Sequence, residues 1–325
     1  MTSNKNINHK EKCKYTDGLS SLLPENEKLD QPLYHYTSMD VFCNYIAKNK
    51  TVRMKNILSG ARNDNYDVKH GLEILNEQID SHVKVSKYTG TELVYAQIKE
   101  IIEMLVNDSL STSNQGNFLN RIYMFCTSLT NSDIKMWNDF ADKGKGVCIE
   151  FKKSFSENFQ KNGDNKTPLP FASKVSYDEG VFQVLCGRLL GLMTFEIDAI
   201  LKRIENYNCQ QPNKVEMFKK IFGSLASKII YPVVLCLDYK PSKFAYEQEY
   251  RFLNIFSATD LCSGQESGDF GYYDYQLNPD KDIEKVWISN LTTDAEEQRL
   301  KCLLGCFGWN NVAIQKIDIL FVKKQ

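Results

Sequence analysis

The stretch Leu33–Ser38, LYHYTS, decides how the rest of the chain is read. An apolar lead-in delivers one histidine, followed by a threonine and a serine suited to starting a helix. Thr37-x-x-Asp40 has the form of a capping box, in which hydroxyl and carboxylate satisfy orphan N–H groups of the first turn. Met39–Lys48 then places Val41, Phe42, Tyr45 and Ile46 on one helical face, and Thr51–Met54 reads as a second strand. Of the four histidines (His9, His35, His70, His82), only His35 lies in a strand-like run. This opening predicts His35 at the end of a buried element, beside a helix N-terminus that favours anionic groups such as phosphates.

The composition around this opening is that of an ordinary globular protein. The 325 residues are 42% hydrophobic and 25% charged with a net charge of −1, which gives no reason to expect a broad nucleic-acid or membrane surface. The ten cysteines form no Cys-x-x-Cys pair, and several (Cys43, Cys126, Cys148, Cys236) fall in apolar runs. They read as buried thiols in a reducing cytoplasm, with no metal site expected. The longest apolar run, Val181–Phe195, is interrupted by Arg188 and is shorter than the roughly 20 residues of a membrane span, so it reads as a core helix. Residues 1–28, rich in Asn, Lys, Ser and Glu, read as a mobile arm, leaving 29–325 as one α+β domain with helical insertions near 64–107 and 181–227.

Further along, Asn63 is placed to cap a helix from Asp64 that carries Leu72, Leu75 and Ile79, and Glu92–Asn107 is a second amphipathic helix. Arg121–Ser128 is a strand, Asp133–Asp142 a short helix, and Gly144-Lys-Gly146 a turn into the strand Val147–Phe151. The apolar patterns predict strands at Lys174–Tyr177 and Ile229–Tyr239, with helices at Val181–Tyr207 and Lys214–Ser227 between them. Strands Tyr272–Leu277 and Lys285–Ser289 follow. A helix capped by Thr293-x-x-Glu296 and ended at Gly308 precedes a last strand, Val312–Val322.

Phe244–Phe256, FAYEQEYRFLNIF, is the second informative stretch. Taken as one strand, it puts Phe244, Tyr246, Gln248, Tyr250 and Phe252 on one face and Glu247, Glu249 and Arg251 on the other. A solvated edge strand has this pattern too. A carboxylate held on a rigid strand and oriented by an arginine also suits a reaction that develops positive charge on a sugar carbon.

The ordered series LYHYTS, RNDNYD, FCTS, MWNDFADKGKGVCIEF and FAYEQEYRF resembles the bacterial family of domain of unknown function 2971, across most of residues 33–256. More distantly, the chain resembles the DarT-like members of the ADP-ribosyltransferase superfamily. There a first strand carries a His or Arg and a late strand supplies a catalytic Glu. That resemblance implies a mixed, largely antiparallel split sheet and NAD as substrate. It implies that His35 contacts the NAD ribose, with Tyr36 and Thr37 near the nicotinamide. Glu249 would hold the ribose 2′-hydroxyl and stabilise the oxocarbenium, and Glu247 would assist the acceptor. Tyr36 stands where many members have glycine, and Tyr123 and Ser128 both fit the second-strand position. Asn63, Asp64 and Asp67 would line the same cleft, together with Arg251.

The leading expectation is therefore an NAD-consuming transferase or glycohydrolase, a toxin or antiviral defence effector acting on a protein or nucleic-acid acceptor. One alternative is a non-catalytic nucleotide- or protein-binding module on the same fold. Another is a metal-dependent nuclease using Asp64, Asp67 and Glu249.

Overall fold

The computed structural model describes residues 29–57, 64–83, 95–96, 98–100, 122–161, 170–206, 230–256 and 272–319. The expected N-terminal arm, the helix Lys214–Ser227 and Asn63 lie outside these residues. The chain divides into two units, one drawn from Tyr66–Leu110 and Asp178–Lys240, the other from Asn26–Asn65, Ser111–Tyr177 and Pro241–Gln325.

Among the described residues, the second unit is built on a nine-stranded sheet: β1 (Leu33–Thr37), β2 (Thr51–Asn56), β3 (Ile122–Ser128), β4 (Val147–Phe151), β5 (Pro170–Lys174), β6 (Glu249–Ile255), β7 (Tyr272–Gln276), β8 (Ile283–Ser289) and β9 (Ala313–Ile317). The order is β5-β6-β3-β1-β4-β8-β9, with β2 pairing β3 and β7. Every pairing is antiparallel except β8 with β9, so the fold is α+β on a largely antiparallel sheet, as expected. One face buries Leu33, Phe125, Ile149, Phe151, Tyr250 and Phe252 against Phe42 and Ile46, and against Leu300 and Leu304 of helix Asp294–Cys306. The other face packs Tyr36 and Cys148 under Met136 and Trp137 of helix Ile134–Phe140.

Local chemistry explains most of these elements and corrects several expectations. Helix Met39–Val41 continues as a π-helical stretch, Phe42–Ala47, and its N-cap is Ser38, which accepts from the Val41 N–H at 3.2 Å. Thr37 is not the cap because β1 keeps it in the sheet, opposite Val147. Phe42 and Ile46 are buried as the periodicity predicts, whereas Val41 is exposed. The Thr293/Glu296 capping box forms in full. Gly146 is forced by space: a Cβ there would collide with the Thr37 carbonyl oxygen. The turn before it is left-handed at Asp142, Lys143 and Gly144, with φ of 48°, 54° and 86°.

The first unit is helical over its described residues. Leu72, Leu75 and Ile79 of helix Asp64–Val83, Phe182, Leu189, Leu190 and Met193 of helix Glu179–Asn206, and Leu235 and Cys236 share one apolar cluster. Tyr95 ties into it by donating to the Leu190 carbonyl at 2.9 Å. The expected strand Ile229–Tyr239 is instead the helix Ile230–Leu237. An unbroken apolar run does not reveal its period. The expected strand Lys174–Tyr177 is displaced as well: pairing with β6 extends over Pro170–Lys174.

Candidate functional site

The sheet forks at β3. The far end of one β3 edge pairs with β2 (Asn56 opposite Tyr123), while the near end pairs with β1 through Tyr34 opposite Ser128. Between these contacts the Cys126 carbonyl faces the diverging strands, and the His35 ring fills the gap with Nδ1 3.0 Å from that oxygen. A carbonyl only accepts, so Nδ1 carries the proton. Burial pushes the imidazole down to about 4, against the opposing effect of this hydrogen bond, and the charge of Lys55 lowers it further. The ring also packs on Phe125, with centroids 4.7 Å apart. His35 is therefore a neutral prop in the fork.

The strand register decides which side chains share a face. Glu249, Ser128, Tyr34, Glu150 and Lys285 are successive cross-strand partners over β6, β3, β1, β4 and β8, so they form one transverse row. His35 lies opposite Ile149, on the other face with Thr37 and Tyr123. The expectation that His35 and Glu249 line one surface is thus corrected: one strand separates them laterally, but the alternation of side chains sends them to opposite sides.

Glu249 and Arg251 occupy the same side of β6, two residues apart. Arg251 Nη2 lies 2.8 Å from Glu249 Oε2, with side chains 1% and 7% exposed. An ion pair this deeply buried survives only with good geometry, because both charges are removed from water. The Glu249 backbone is fixed as well, its N–H donating to the Tyr177 hydroxyl at 2.8 Å. Glu247 does not share the strand. Ser242–Glu247 is a 3-10 helix, and Gln248, with φ of 42°, makes a left-handed step into β6. The Glu247 side chain is buried, and its backbone carbonyl accepts from Ser128 Oγ at 2.7 Å. Ser128 in turn accepts from the Thr130 N–H at 3.2 Å, so one hydroxyl ties the end of β3 to the entry of β6.

Tyr36 shares the Glu249 face but is a packing residue. Its ring meets Trp137 edge-on at 5.5 Å and its hydroxyl donates to the Thr130 carbonyl at 2.7 Å. Tyr123 is fully buried in the opposite core. Asp64 and Asp67 belong to helix Asp64–Val83, but their side chains lie outside what the structure describes.

Glu150 and Tyr34 escaped the sequence reading. Glu150 sits in the apolar strand VCIEF with its side chain 9% exposed. Its Oε2 accepts from Trp287 Nε1 at 2.5 Å, and Lys285 Nζ stands 3.8 Å from Oε1. Burial and the neighbouring Glu150 charge push the Tyr34 phenol up to about 12, so it remains a hydrogen-bond donor at neutral pH. A carboxylate inside an apolar strand was the available signal, because burying one requires dedicated partners.

With the row in place, the comparison with known families can be weighed. Residues 136–252 match the family Protein of unknown function (DUF2971). The DUF2971 match is narrower than the stretch that carries the resemblance in the sequence. It includes Glu150, Glu249 and Arg251 and stops short of His35, Tyr34 and Ser128. No curated protein and no solved structure matches the chain. Among the described residues, no helix is long and apolar enough to cross a membrane, and no three His, Cys, Asp or Glu side chains are grouped to hold a metal ion.

Proposed function

We propose that the chain is an ADP-ribosyltransferase-like enzyme that consumes NAD by breaking the bond between nicotinamide and its ribose. One observation carries this: Glu249 opens β6 directly opposite Ser128 and is held by Arg251 at 2.8 Å. When the C1′–N bond breaks, its electron pair leaves with nicotinamide and positive charge grows on the ribose carbon. A fixed carboxylate next to that carbon stabilises the charge without reorganising. An acceptor hydroxyl, amine or water then adds to C1′ and loses its proton.

Glu249 is the catalytic group in this proposal. Arg251 positions it, and Ser128 sets the approach of β3 to β6. His35 supports the fork and does not touch the ribose. The other carboxylate of the row does not join in an acid–base pair of the glycosidase kind. Glu150 and Glu249 are three strand spacings apart, about 14 Å at roughly 4.8 Å per step, beyond the ~6.5–9.5 Å at which two carboxylates flank one glycosidic bond. Depleting NAD or marking a protein or nucleic acid in the cytoplasm would suit a toxin or antiviral defence effector.

The test is nicotinamide release from NAD by the purified full chain. Glu249→Gln is expected to lower the rate by roughly 10²–10³, the usual consequence of losing one electrostatic stabiliser. Undiminished turnover in a folded Glu249→Gln protein would remove the assignment, and failure of the wild type to bind NAD at millimolar concentration would remove the class. The closure of Glu249 onto Arg251 favours a second reading, a nucleotide-binding module without turnover. In that case NAD raises the melting temperature and yields no product.

A further inference from the structure

The row that begins at Glu249 ends, three strands away, in a second polar group with its own architecture. Glu150 is a buried carboxylate whose two oxygens are used unequally. Oε2 takes a short hydrogen bond from Trp287, whereas Oε1 has Lys285 at 3.8 Å, beyond hydrogen-bonding distance. A carboxylate has about four acceptor sites, so Oε1 keeps capacity for hydroxyl donors. The rings beside it, Tyr34 and Trp287, are half-buried: they pack against the cluster of Met136 and Trp137 and remain partly exposed. Lys285 lies 5.1 Å above the Trp287 ring and adds positive charge at the outer edge.

We propose that Glu150, Tyr34 and Trp287 form a nucleoside subsite for the adenosine end of the dinucleotide, with Glu150 accepting the ribose hydroxyls and the two rings flanking the base. This rests on the NAD reading above and extends it to the far end of the same ligand. An acid that accepts a ribose 2′-hydroxyl is a recurrent solution in dinucleotide sites, and any base offers a π-face to an indole or phenol. The separation fits as well. About 14 Å is too far for Glu150 to act on the bond at Glu249, but an extended dinucleotide places its two riboses a comparable distance apart. Between the ends, Tyr34 is the partly exposed polar side chain of the row, since the Ser128 hydroxyl is buried and engaged with Glu247 and Thr130.

The experiment titrates adenosine and 2′-deoxyadenosine into the full chain by calorimetry, with NAD cleavage measured in parallel. The wild type is expected to bind adenosine at least about tenfold more tightly than the deoxynucleoside, a difference of about 1.4 kcal/mol. Glu150→Gln should weaken adenosine by a similar factor and shrink the preference for the 2′-hydroxyl. Trp287→Phe, which keeps a ring but lacks the N–H that orients Glu150, should do so more mildly and provides the check if Glu150→Gln unfolds. Equal binding of adenosine by the folded variants and wild type, or no adenosine binding by the wild type, would overturn the subsite. Adenosine binding that depends on Glu150 without NAD cleavage would keep the subsite and remove the catalytic proposal, whereas cleavage without adenosine binding would do the reverse.

Discussion

Replacing Glu249 by Gln and Arg251 by Met, singly and together, tests whether the pair is a true buried ion pair. At 2.8 Å and an effective dielectric of about 20, the direct attraction is about 6 kcal/mol, most of it offset by desolvating two nearly inaccessible charges. Glu249→Gln keeps the shape and removes the charge, which takes from the buried Arg251 guanidinium the carboxylate that lies 2.8 Å away. The expected loss is about 3–5 kcal/mol, the usual cost of removing one member of a buried pair. For a unit of this size that lowers the melting temperature by roughly 6–20 °C. Arg251→Met should cost a similar amount. The double variant removes both charges of the pair and should be more stable than the sum of the single losses implies, by about 2–3 kcal/mol. Urea denaturation followed by circular dichroism and tryptophan fluorescence reads all three. Losses that add within about 0.5 kcal/mol would refute the buried pair. NAD turnover separates stability from chemistry: a double variant that regains stability but not cleavage places Glu249 in the reaction.

The remaining predictions concern pH, packing and a helix cap. His35 has a folded-state value of about 4 against an ordinary 6.5, so the unfolded chain binds its proton more readily. Its contribution is complete above pH 6.5, is lost as pH falls through the window from 6.5 to 4, and reaches up to about 3 kcal/mol. His35→Asn should flatten the stability-versus-pH slope in that window, and an unchanged slope in denaturation curves would contradict the burial. Gly146→Ala places a Cβ against the Thr37 carbonyl and should destabilise by about 1–3 kcal/mol in chemical denaturation, with neutrality counting against the close approach. Thr293→Ala removes the capping box of helix Asp294–Cys306 and should cost about 0.5–2 kcal/mol, visible as a lower melting temperature.

Legibility in the sequence followed the range of the interaction that fixes each feature. β1 and the Thr293 cap were readable because neighbours in the chain determine them. The helix Ile230–Leu237 was missed because IYPVVLCL is apolar at every period, so burial on all sides erased the signal. The break at Gln248 was missed because the FAYEQ alternation continues smoothly through a 3-10 turn. The site depends on register between strands distant in the chain, and periodicity within one strand is silent about that. Nothing in LYHYTS says that Tyr34, and not His35, faces Ser128. The carboxylate of VCIEF was visible, but an apolar context made it look like part of an ordinary core strand.

The strand order also sets the sequence in which the sheet can assemble during synthesis. β1, β3 and β4 emerge from the ribosome well before β6, and they can pair with one another first. Glu249 and Arg251 enter only when β6 inserts between β3 and β5, a long-range closure that follows the local contacts. A nascent chain therefore pairs Tyr34 with Ser128 and Glu150 before Glu249 and Arg251 arrive, and Trp287 and Lys285 of β8 reach Glu150 later still. The Glu249–Arg251 pair is thus among the later features of the sheet to form, after the strands that carry His35, Ser128 and Glu150 have met.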